Sequence, residues 1–334
     1  MTQNDIFFSS ICCPNCYNDL VQINQNEFLC NNCMKKFLQE DNIFFLFEKD
    51  EDNEKIKIGE ESIDKTNKYI ENLPVISKDY TPLRQRAVYW DSVIEKRHVK
   101  LLHPYLDNAA LLDTGCGTGN LLKMVGSFVS LGIGIDASIP SLRMAIEKNQ
   151  ETQKFRFFYG NVLKMPFKDN SFEIIVSSEV IEHVSDPRNY VKELFRILKP
   201  GGFLTLSTPS VYIYSLLYPH NIFLLLTTPH KYFLLIHPEK NWNAALKYHP
   251  SLSEKLLISL CKDAGFKIVK NETTLWYYWT PLRLFFRFLL FLERMKIDTI
   301  PLFDAIMMES EKLLEKNIPI IRYFGSRQII MVIK

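Results

Sequence analysis

One short stretch combines an acidic residue with three glycines at alternate positions, Leu111-Leu112-Asp113-Thr114-Gly115-Cys116-Gly117-Thr118-Gly119-Asn120. Apolar residues precede it, and apolar residues resume at helical spacing after it, which predicts a strand, a tight turn and a helix. Glycine is needed where a backbone turns sharply or where a ligand must approach without a Cβ in the way. We therefore predict a nucleotide-like ligand at the end of this strand; the alternative is a plain glycine-rich turn.

The glycine spacing separates two classes of ligand. A dinucleotide fingerprint needs a third glycine three residues after the second, where this chain has Asn120. The pattern instead resembles the first motif of class I S-adenosylmethionine-dependent methyltransferases, in which an acidic residue precedes Gly-x-Gly-x-Gly. The resemblance implies that residues 115–119 hold the methionine part of S-adenosylmethionine and that Asp113 lies near its ammonium group.

Further candidate cofactor residues follow the next two predicted strands. Asp136 ends the strand Leu131–Ile135, 17 residues after Gly119, where a carboxylate can accept hydrogen bonds from a ribose diol; helix capping is the alternative. Asn161 follows the strand Phe155–Tyr159 at a position where the family commonly has Asp, and its carbonyl can still accept from the adenine amino group. The predicted cofactor-binding set is Asp113, Gly115, Cys116, Gly117, Gly119, Asp136, Ala137, Asn161, Val162 and Ser178.

Two carboxylates and an imidazole, Glu179-x-x-Glu182-His183, follow the fourth predicted strand, Phe172–Ser178. If this segment is helical, the three side chains share one face at the carboxyl edge of the sheet, where ligands bind in open α/β folds. Some relatives use such a segment to hold a divalent ion such as Mg²⁺, which would lower the pKa of a substrate hydroxyl. Three interpretations stay open: a metal site, a metal-free His183 beside the substrate, or a structural turn. His249, which precedes a later predicted helix, is the second candidate base, against a surface or core histidine.

Five of the seven cysteines lie within the first 33 residues. Cys13-Pro14-Asn15-Cys16 and Cys30-Asn31-Asn32-Cys33 are separated by thirteen residues, an arrangement that lets four thiolates surround one Zn²⁺. A redox dithiol or a degenerate ribbon is the alternative. The segment resembles zinc ribbons fused to some methyltransferases, including the ribosomal-RNA guanine type and the tRNA-methyltransferase activator type. Its few cations disfavour RNA binding, which leaves a structural or substrate-covering role.

Composition places these sites in an ordered protein. The chain has 334 residues, 47% of them hydrophobic, and a formal net charge of +2, which gives no global reason to expect nucleic acid. No signal peptide is recognised at the N-terminus, so we expect a cytoplasmic location with reduced thiols. The apolar regions 211–236 and 281–292 are interrupted or too short for the roughly 18 residues of a spanning helix. Peripheral contact with a membrane surface remains open.

These elements predict an α/β architecture in three parts. Residues 1–47 form a zinc-ribbon-like module, residues 48–79 a charged lead-in, and residues 80–334 a Rossmann-like methyltransferase domain with aromatic-rich insertions at 211–246 and 274–325. The block from the fourth strand through Lys199-Pro200-Gly201-Gly202 resembles ubiquinone-biosynthesis-type methyltransferases. The resemblance implies a seven-stranded sheet of order 3-2-1-4-5-7-6 with an antiparallel last strand.

The predicted reaction is methyl transfer from S-adenosylmethionine to an oxygen, in preference to a carbon or nitrogen, of a lipophilic small molecule. The aromatic insertions favour a bulky apolar acceptor. The alternatives are an RNA-base methyltransferase that uses the ribbon and a non-catalytic S-adenosylmethionine-binding module. The sequence identifies neither the acceptor nor the oligomeric state.

Overall fold

A computed structural model of the chain describes residues 3–46, 93–209, 226–227, 252–274, 280–315 and 327–334. The strands are β1 Leu20–Asn24, β2 Glu27–Cys30, β3 Lys36–Glu40, β4 Ile43–Phe45, β5 Ala110–Thr114, β6 Leu131–Asp136, β7 Phe155–Tyr159, β8 Phe172–Ser178, β9 Leu198–Pro209, β10 Lys267–Thr274 and β11 Arg327–Ile333. The helices are α1 Gln3–Ser10, α2 Val93–Leu102, α3 Asn120–Val125, α4 Ile139–Lys148, α5 Pro187–Ile197, α6 Glu254–Ala264, α7 Thr280–Arg294 and α8 Ile300–Glu315.

The last seven strands lie side by side in the order β7-β6-β5-β8-β9-β11-β10. Strands β5 to β9 run parallel to one another, whereas β11 is antiparallel to both β9 and β10. The carboxyl ends of β5, β6 and β8 therefore meet the amino end of β11 at one edge of the sheet, which is the edge where open α/β folds bind ligands.

The seven strands expected of the methyltransferase domain are part of a larger sheet, because the sheet of the described residues has eleven strands. Strands β1 to β4 form an antiparallel meander, and β4 then pairs parallel with β7, from Ile43 opposite Phe157 to Phe45 opposite Tyr159. Phe44 stacks on Phe158 at a centroid distance of 4.9 Å. The ribbon thus covers what would otherwise be an exposed edge strand and buries aromatic surface there.

Backbone hydrogen bonds also tie the cysteine-rich segment to the loop that follows β7. Cys12 N donates to Pro166 O at 2.9 Å, and Lys168 N donates to Ser10 O at 2.8 Å. The guanidinium of Arg196 donates to Phe167 O and lies over the ring of Tyr17. The ribbon and the sheet consequently share one apolar core.

Strand β9 begins earlier than the predicted strand Phe203–Ser207. Leu198 pairs with Phe172 and Phe203 pairs with Ile174, so residues 199–202 form a bulge within the strand. Gly201 has a φ of +77° there, a conformation that glycine adopts without a Cβ clash. The Lys-Pro-Gly-Gly turn is therefore an irregularity of the strand.

Several predictions lie outside the described residues. They concern the charged lead-in 48–79, the insertion 211–246, and His249. Ser253 lies within the described residues, and its side chain accepts from Leu256 N at the start of α6. In the part of the chain that the structure describes, none of the helices is long and apolar enough to cross a bilayer.

Helix α2 is fixed to the sheet through buried polar contacts. Arg97 forms an ion pair with Glu272 of β10, with 2.7 Å between Nε and Oε2. His98 is fully buried, and its Nδ1 lies 2.8 Å from Thr205 Oγ1 of β9, while its Nε2 has no hydrogen-bond partner. Burial lowers the pKa of His98 to about 3, because a charged imidazole would lose its hydration there.

His98 should therefore make the fold acid-sensitive. The unfolded chain binds a proton at His98 below pH ~6.5 while the folded chain does not, so stability falls as pH falls through that value. Between pH 7 and pH 5 we expect His98 to account for a loss of about 2 kcal/mol in the free energy of unfolding. Urea titrations of the wild type and of His98→Gln measure the difference. Equal pH dependence in His98→Gln and wild type would contradict the assignment.

Candidate cofactor cavity and cysteine cluster

A cavity of about 330 Å³ lies at the edge of the sheet where the glycine loop follows β5. This volume is at the lower end of the range of small-molecule sites. The lining residues come from α2, the glycine loop and the ends of β8 and β11: Ile94, Glu95, Asp113, Gly115, Cys116, Gly117, Thr118, Asn120, Leu121, Ser178, Glu179 and Arg327. Five predicted cofactor residues are thus brought together, namely Asp113, Gly115, Cys116, Gly117 and Ser178.

The glycine loop is held open towards this cavity. Gly115 N and Cys116 N both donate to Ile135 O of β6, at 2.7 and 3.2 Å. Gly117 has a φ of +49°, and a Cβ built on it would meet no atom within 4 Å. A Cβ on Gly115 would instead lie 2.4 Å from Val180 Cγ2. Steric packing therefore requires glycine at 115, whereas at 117 the missing side chain leaves room for a ligand.

Asp136 connects the loop to the end of β6. Its Oδ2 accepts from Gly117 N and its Oδ1 accepts from Ser138 N, both at 2.8 Å. Burial raises the pKa of Asp136, and the backbone donors oppose that rise. The carboxylate thus fixes the loop whose open side lines the cavity, and it does not itself line the cavity.

Two carboxyl groups face the cavity from different elements. Asp113 is almost fully buried at the end of β5, and Glu95 comes from α2. Burial raises the pKa of Asp113 well above its usual value, and the nearby charges of Glu95 and Asp136 raise it further. A ligand cation beside Asp113 would stabilise its ionised form and so oppose the rise in its pKa. The ammonium and sulfonium groups of S-adenosylmethionine match this part of the cavity.

The remaining predicted cofactor residues, Gly119, Ala137, Asn161 and Val162, lie outside the cavity lining. Gly119 is the left-handed residue before α3. Asn161 Oδ1 accepts from Leu163 N at 2.8 Å. One lone pair of this oxygen, which is the predicted acceptor for adenine, is therefore used to stabilise the local turn. A carbonyl oxygen has a second lone pair, and the adenine role stays a prediction.

The segment Glu179 to His183 is a turn, so the helical arrangement that would place the three side chains on one face is not present. Glu179 has a φ of +58° and forms an ion pair with Arg327. Glu182 is buried and accepts from Thr208 Oγ1 at 3.1 Å, whereas His183 is exposed, with its Nε2 4.0 Å from Glu182 Oε1. The three side chains therefore do not converge as the helical pattern implied, and a divalent site there stays a prediction.

Burial raises the pKa of both Glu179 and Glu182. Arg327 opposes the rise at Glu179, and Glu182 adds to it. Glu179 Oε1 is buried without a hydrogen-bond partner. Glu179 and Arg327 line the cavity, whereas Glu182 and His183 do not. The sequence carries no local signal for Glu95 or Arg327, because both reach the cavity from elements distant in the chain.

The four ribbon cysteines converge, as their spacing predicts. Cys13 Sγ lies 3.5 Å from Cys33 Sγ, and Cys16 Sγ lies 3.4 Å from Cys30 Sγ. All four sulfurs lie within 4.8 Å of one another, and among the described residues they are the one group of three or more ligands so arranged. Tetrahedral zinc with Zn–S bonds of ~2.3 Å requires sulfurs ~3.8 Å apart, so the donor set fits zinc.

The comparisons with known proteins agree with this geometry. Residues 112–206, which contain the glycine loop, Asp136 and the Glu179–His183 turn, match a family model described as a methyltransferase domain. This chain contains a class I S-adenosylmethionine-dependent methyltransferase domain. The match ends before the aromatic-rich segments that follow β9 and β10.

Curated relatives carry the same type of domain. The chain is 28% identical over 203 residues to a demethylmenaquinone methyltransferase of Staphylococcus haemolyticus, covering 58% of this chain and 84% of the relative. It is 32% identical over 127 residues to an uncharacterized methyltransferase of Schizosaccharomyces pombe, covering 34% and 46%. The chain spans about half the length of two of the curated relatives it matches.

A solved structure supports the fold. The crystal structure of a sarcosine dimethylglycine methyltransferase homologue from Galdieria sulphuraria, itself described as putative, aligns with a TM-score of 0.51 at 18% identity. The alignment covers 82% of this chain and 98% of that structure. At this identity the similarity establishes the Rossmann-like α/β fold of the methyltransferase domain and not its acceptor.

Proposed function

We propose that this chain transfers the methyl group of S-adenosylmethionine to an oxygen, in preference to a carbon or nitrogen, of a lipophilic small molecule. The observation that carries the proposal is the glycine-loop cavity, whose wall combines an open Gly117 with the buried carboxyl group of Asp113 and the carboxyl group of Glu95. The matched methyltransferase domain supports it.

Each part of the cofactor has a proposed partner in this chain. Asp113 and Glu95 offset the positive charge of the methionine end, and residues 115–119 leave space beside it. Asp136 accepts from the ribose hydroxyls, and Asn161 with Val162 contacts the adenine. S-adenosylmethionine supplies a methyl group already activated by its positive sulfur, so the chain's main contribution is alignment and removal of the acceptor proton.

The apolar nature of the acceptor is supported by where the aromatic-rich segments begin. Arg327 lines the cavity, and its Cα register partners are Pro209 on β9 and Thr274 on β10. The segments after Pro209 and Thr274 are the two insertions rich in Phe, Tyr, Trp and Leu. Both therefore leave the sheet at the cavity edge. A relative is named for demethylmenaquinone, a lipid-soluble acceptor.

The acceptor proton requires a base on the acceptor side of the cavity. Glu179 has a buried, unpartnered oxygen there, next to Arg327. It joins His183 and His249, the two bases proposed from the sequence. A divalent ion such as Mg²⁺ on Glu179, Glu182 and His183 would require Glu179 to leave Arg327.

Transfer of radioactive methyl groups tests the proposal. Purified protein is incubated with methyl-labelled S-adenosylmethionine and either a total lipid extract or total RNA of the source cells. We expect label in the organic phase and none when Asp136→Ala replaces the wild type. Mass spectrometry of the labelled fraction should give a mass increase of one methyl group.

The other outcomes distinguish the alternatives. Label in RNA, with salt-sensitive RNA binding, would favour the RNA-base methyltransferase. Binding of S-adenosylmethionine without transfer to either extract would favour a non-catalytic binding module. Absence of cofactor binding would contradict methyl transfer both to a small molecule and to RNA.

A further inference from the structure

We propose that the α7–α8 tip, defined as the outer face of α7 with residues 294–302, docks onto the surface of an anionic lipid bilayer. This proposal goes beyond methyl transfer, because it assigns an interaction surface that stands whether or not the chain is catalytic. The proposed partner is lipid, because the tip combines exposed apolar side chains with positively charged ones.

Helices α7 and α8 already have a core of their own. Leu289, Phe303 and Met307 are buried together, with Phe285 and Leu292 packed partly against them. The inner face of α7 is thus satisfied by contact with α8. Apolar residues on the neighbouring, exposed face need a separate explanation.

That outer face carries a second apolar row. Phe288 is 52% exposed, Phe291 56% and Met295 59%, and their spacing of three and four residues places them on one side of the helix. Ile297 and Leu302 continue the row around the turn, at 47% and 50% exposure. A contiguous row of large apolar side chains at a helix end is typical of an interfacial contact surface.

The charges within the tip are mainly positive. Arg294 and Lys296 are exposed and flank Met295. The acid in the turn, Asp298, accepts from Ile300 N at the start of α8, where the positive end of the helix dipole offsets its charge. Exposed Phe and Met beside exposed cations complement a bilayer with anionic headgroups, because the apolar groups enter the interface while the cations meet phosphate.

The backbone at Lys296 supports a role for its charge. Lys296 has a φ of +63°, in the left-handed region that favours glycine. Lys296 N donates to Glu293 O, and Ile297 N donates to Leu292 O, so the residue terminates α7 as glycine usually does. Lys296 therefore occupies a left-handed position at which glycine would be less strained.

Vesicle flotation of the full chain tests the proposal. The protein is mixed with vesicles of phosphatidylcholine alone or with about 30 mol% phosphatidylglycerol, a content that gives a negative surface potential. We expect flotation with the anionic vesicles, weakened by high salt. The double substitution Phe288→Ser with Phe291→Ser should reduce partitioning about 100-fold. Arg294→Gln with Lys296→Gln should reduce it about thirtyfold and remove the preference for anionic lipid.

The matched control is Val21→Ser with Ile23→Ser on strand β1. These residues have similar exposure, 47% and 48%, and lie on the ribbon, so partitioning should not change. Unchanged S-adenosylmethionine affinity in all variants, measured by calorimetry, shows that each remains folded. Absence of flotation, or equal flotation of the Phe288/Phe291 variant and the wild type, would overturn the proposal. A dimer lost in that variant without any lipid binding would overturn it in favour of a contact between two copies.

Discussion

Asp136→Ala is expected to weaken S-adenosylmethionine binding about 100-fold, as measured by calorimetry. The carboxylate accepts hydrogen bonds from Gly117 N and Ser138 N, both at 2.8 Å. Alanine would leave both donors without that partner and would remove the proposed acceptor of the ribose hydroxyls. The loop that lines the cavity would therefore lose its fixed position together with a direct ligand contact.

Asp136→Asn is the graded control for this prediction. Its single carbonyl oxygen can keep one backbone contact but carries no charge, so we expect an affinity between wild type and Asp136→Ala. Zinc content should stay at about one per chain in both variants, since Asp136 is not part of the cysteine cluster. An unchanged Kd in Asp136→Ala would refute the placement of the ribose.

Removal of zinc is expected to have the largest effect on stability. Elemental analysis should find about one zinc per chain in the wild type and none in Cys30→Ser, because three thiolates bind the ion much more weakly than four. We expect the loss of several kcal/mol of folding free energy, given the binding energies of structural zinc sites. Thermal unfolding before and after treatment with a chelator measures this loss.

Loss of the zinc site should also weaken cofactor binding. The ribbon holds residues 165–168 through Cys12 N and Ser10 O, and its strand β4 pairs with β7, which leads to Asn161. We expect Cys30→Ser to weaken S-adenosylmethionine binding about tenfold by loosening this loop.

Cys12→Ala is the matched control for the zinc prediction. Cys12 lies next to a ligand but does not belong to the sulfur cluster, and its contact with Pro166 is made by the backbone. It should keep both zinc and cofactor affinity. Retention of zinc in Cys30→Ser would contradict the four-cysteine site, whereas loss of zinc with unchanged cofactor affinity would contradict only the coupling.

Features set by local backbone chemistry could be predicted from the sequence. The alternating glycines specify a left-handed turn between β5 and α3, and the Cys-x-x-Cys pairs specify two knuckles, because each requires particular residues a few positions apart. Asp136 can be predicted for the same reason, because its place at the end of β6 fixes the distance between its side chain and the glycine loop. The family match over residues 112–206 includes the glycine loop and Asp136, whose contacts with a cofactor stay a prediction.

Tertiary structure decided what depends on contacts between distant elements. The pairing of β4 with β7 follows from the burial of Phe44 against Phe158, which neither segment reveals alone. Glu95 and Arg327 enter the cavity wall only because α2 packs against the sheet and β11 pairs with β9. The ion pair with Arg327 occupies Glu179, and the backbone forms a turn at a segment for which the sequence left a helix and a turn open. Sequence by itself thus determined the glycine loop and the cysteine cluster through short-range spacing, whereas the cavity wall formed by α2 and β11 was decided by long-range packing that no local pattern encodes.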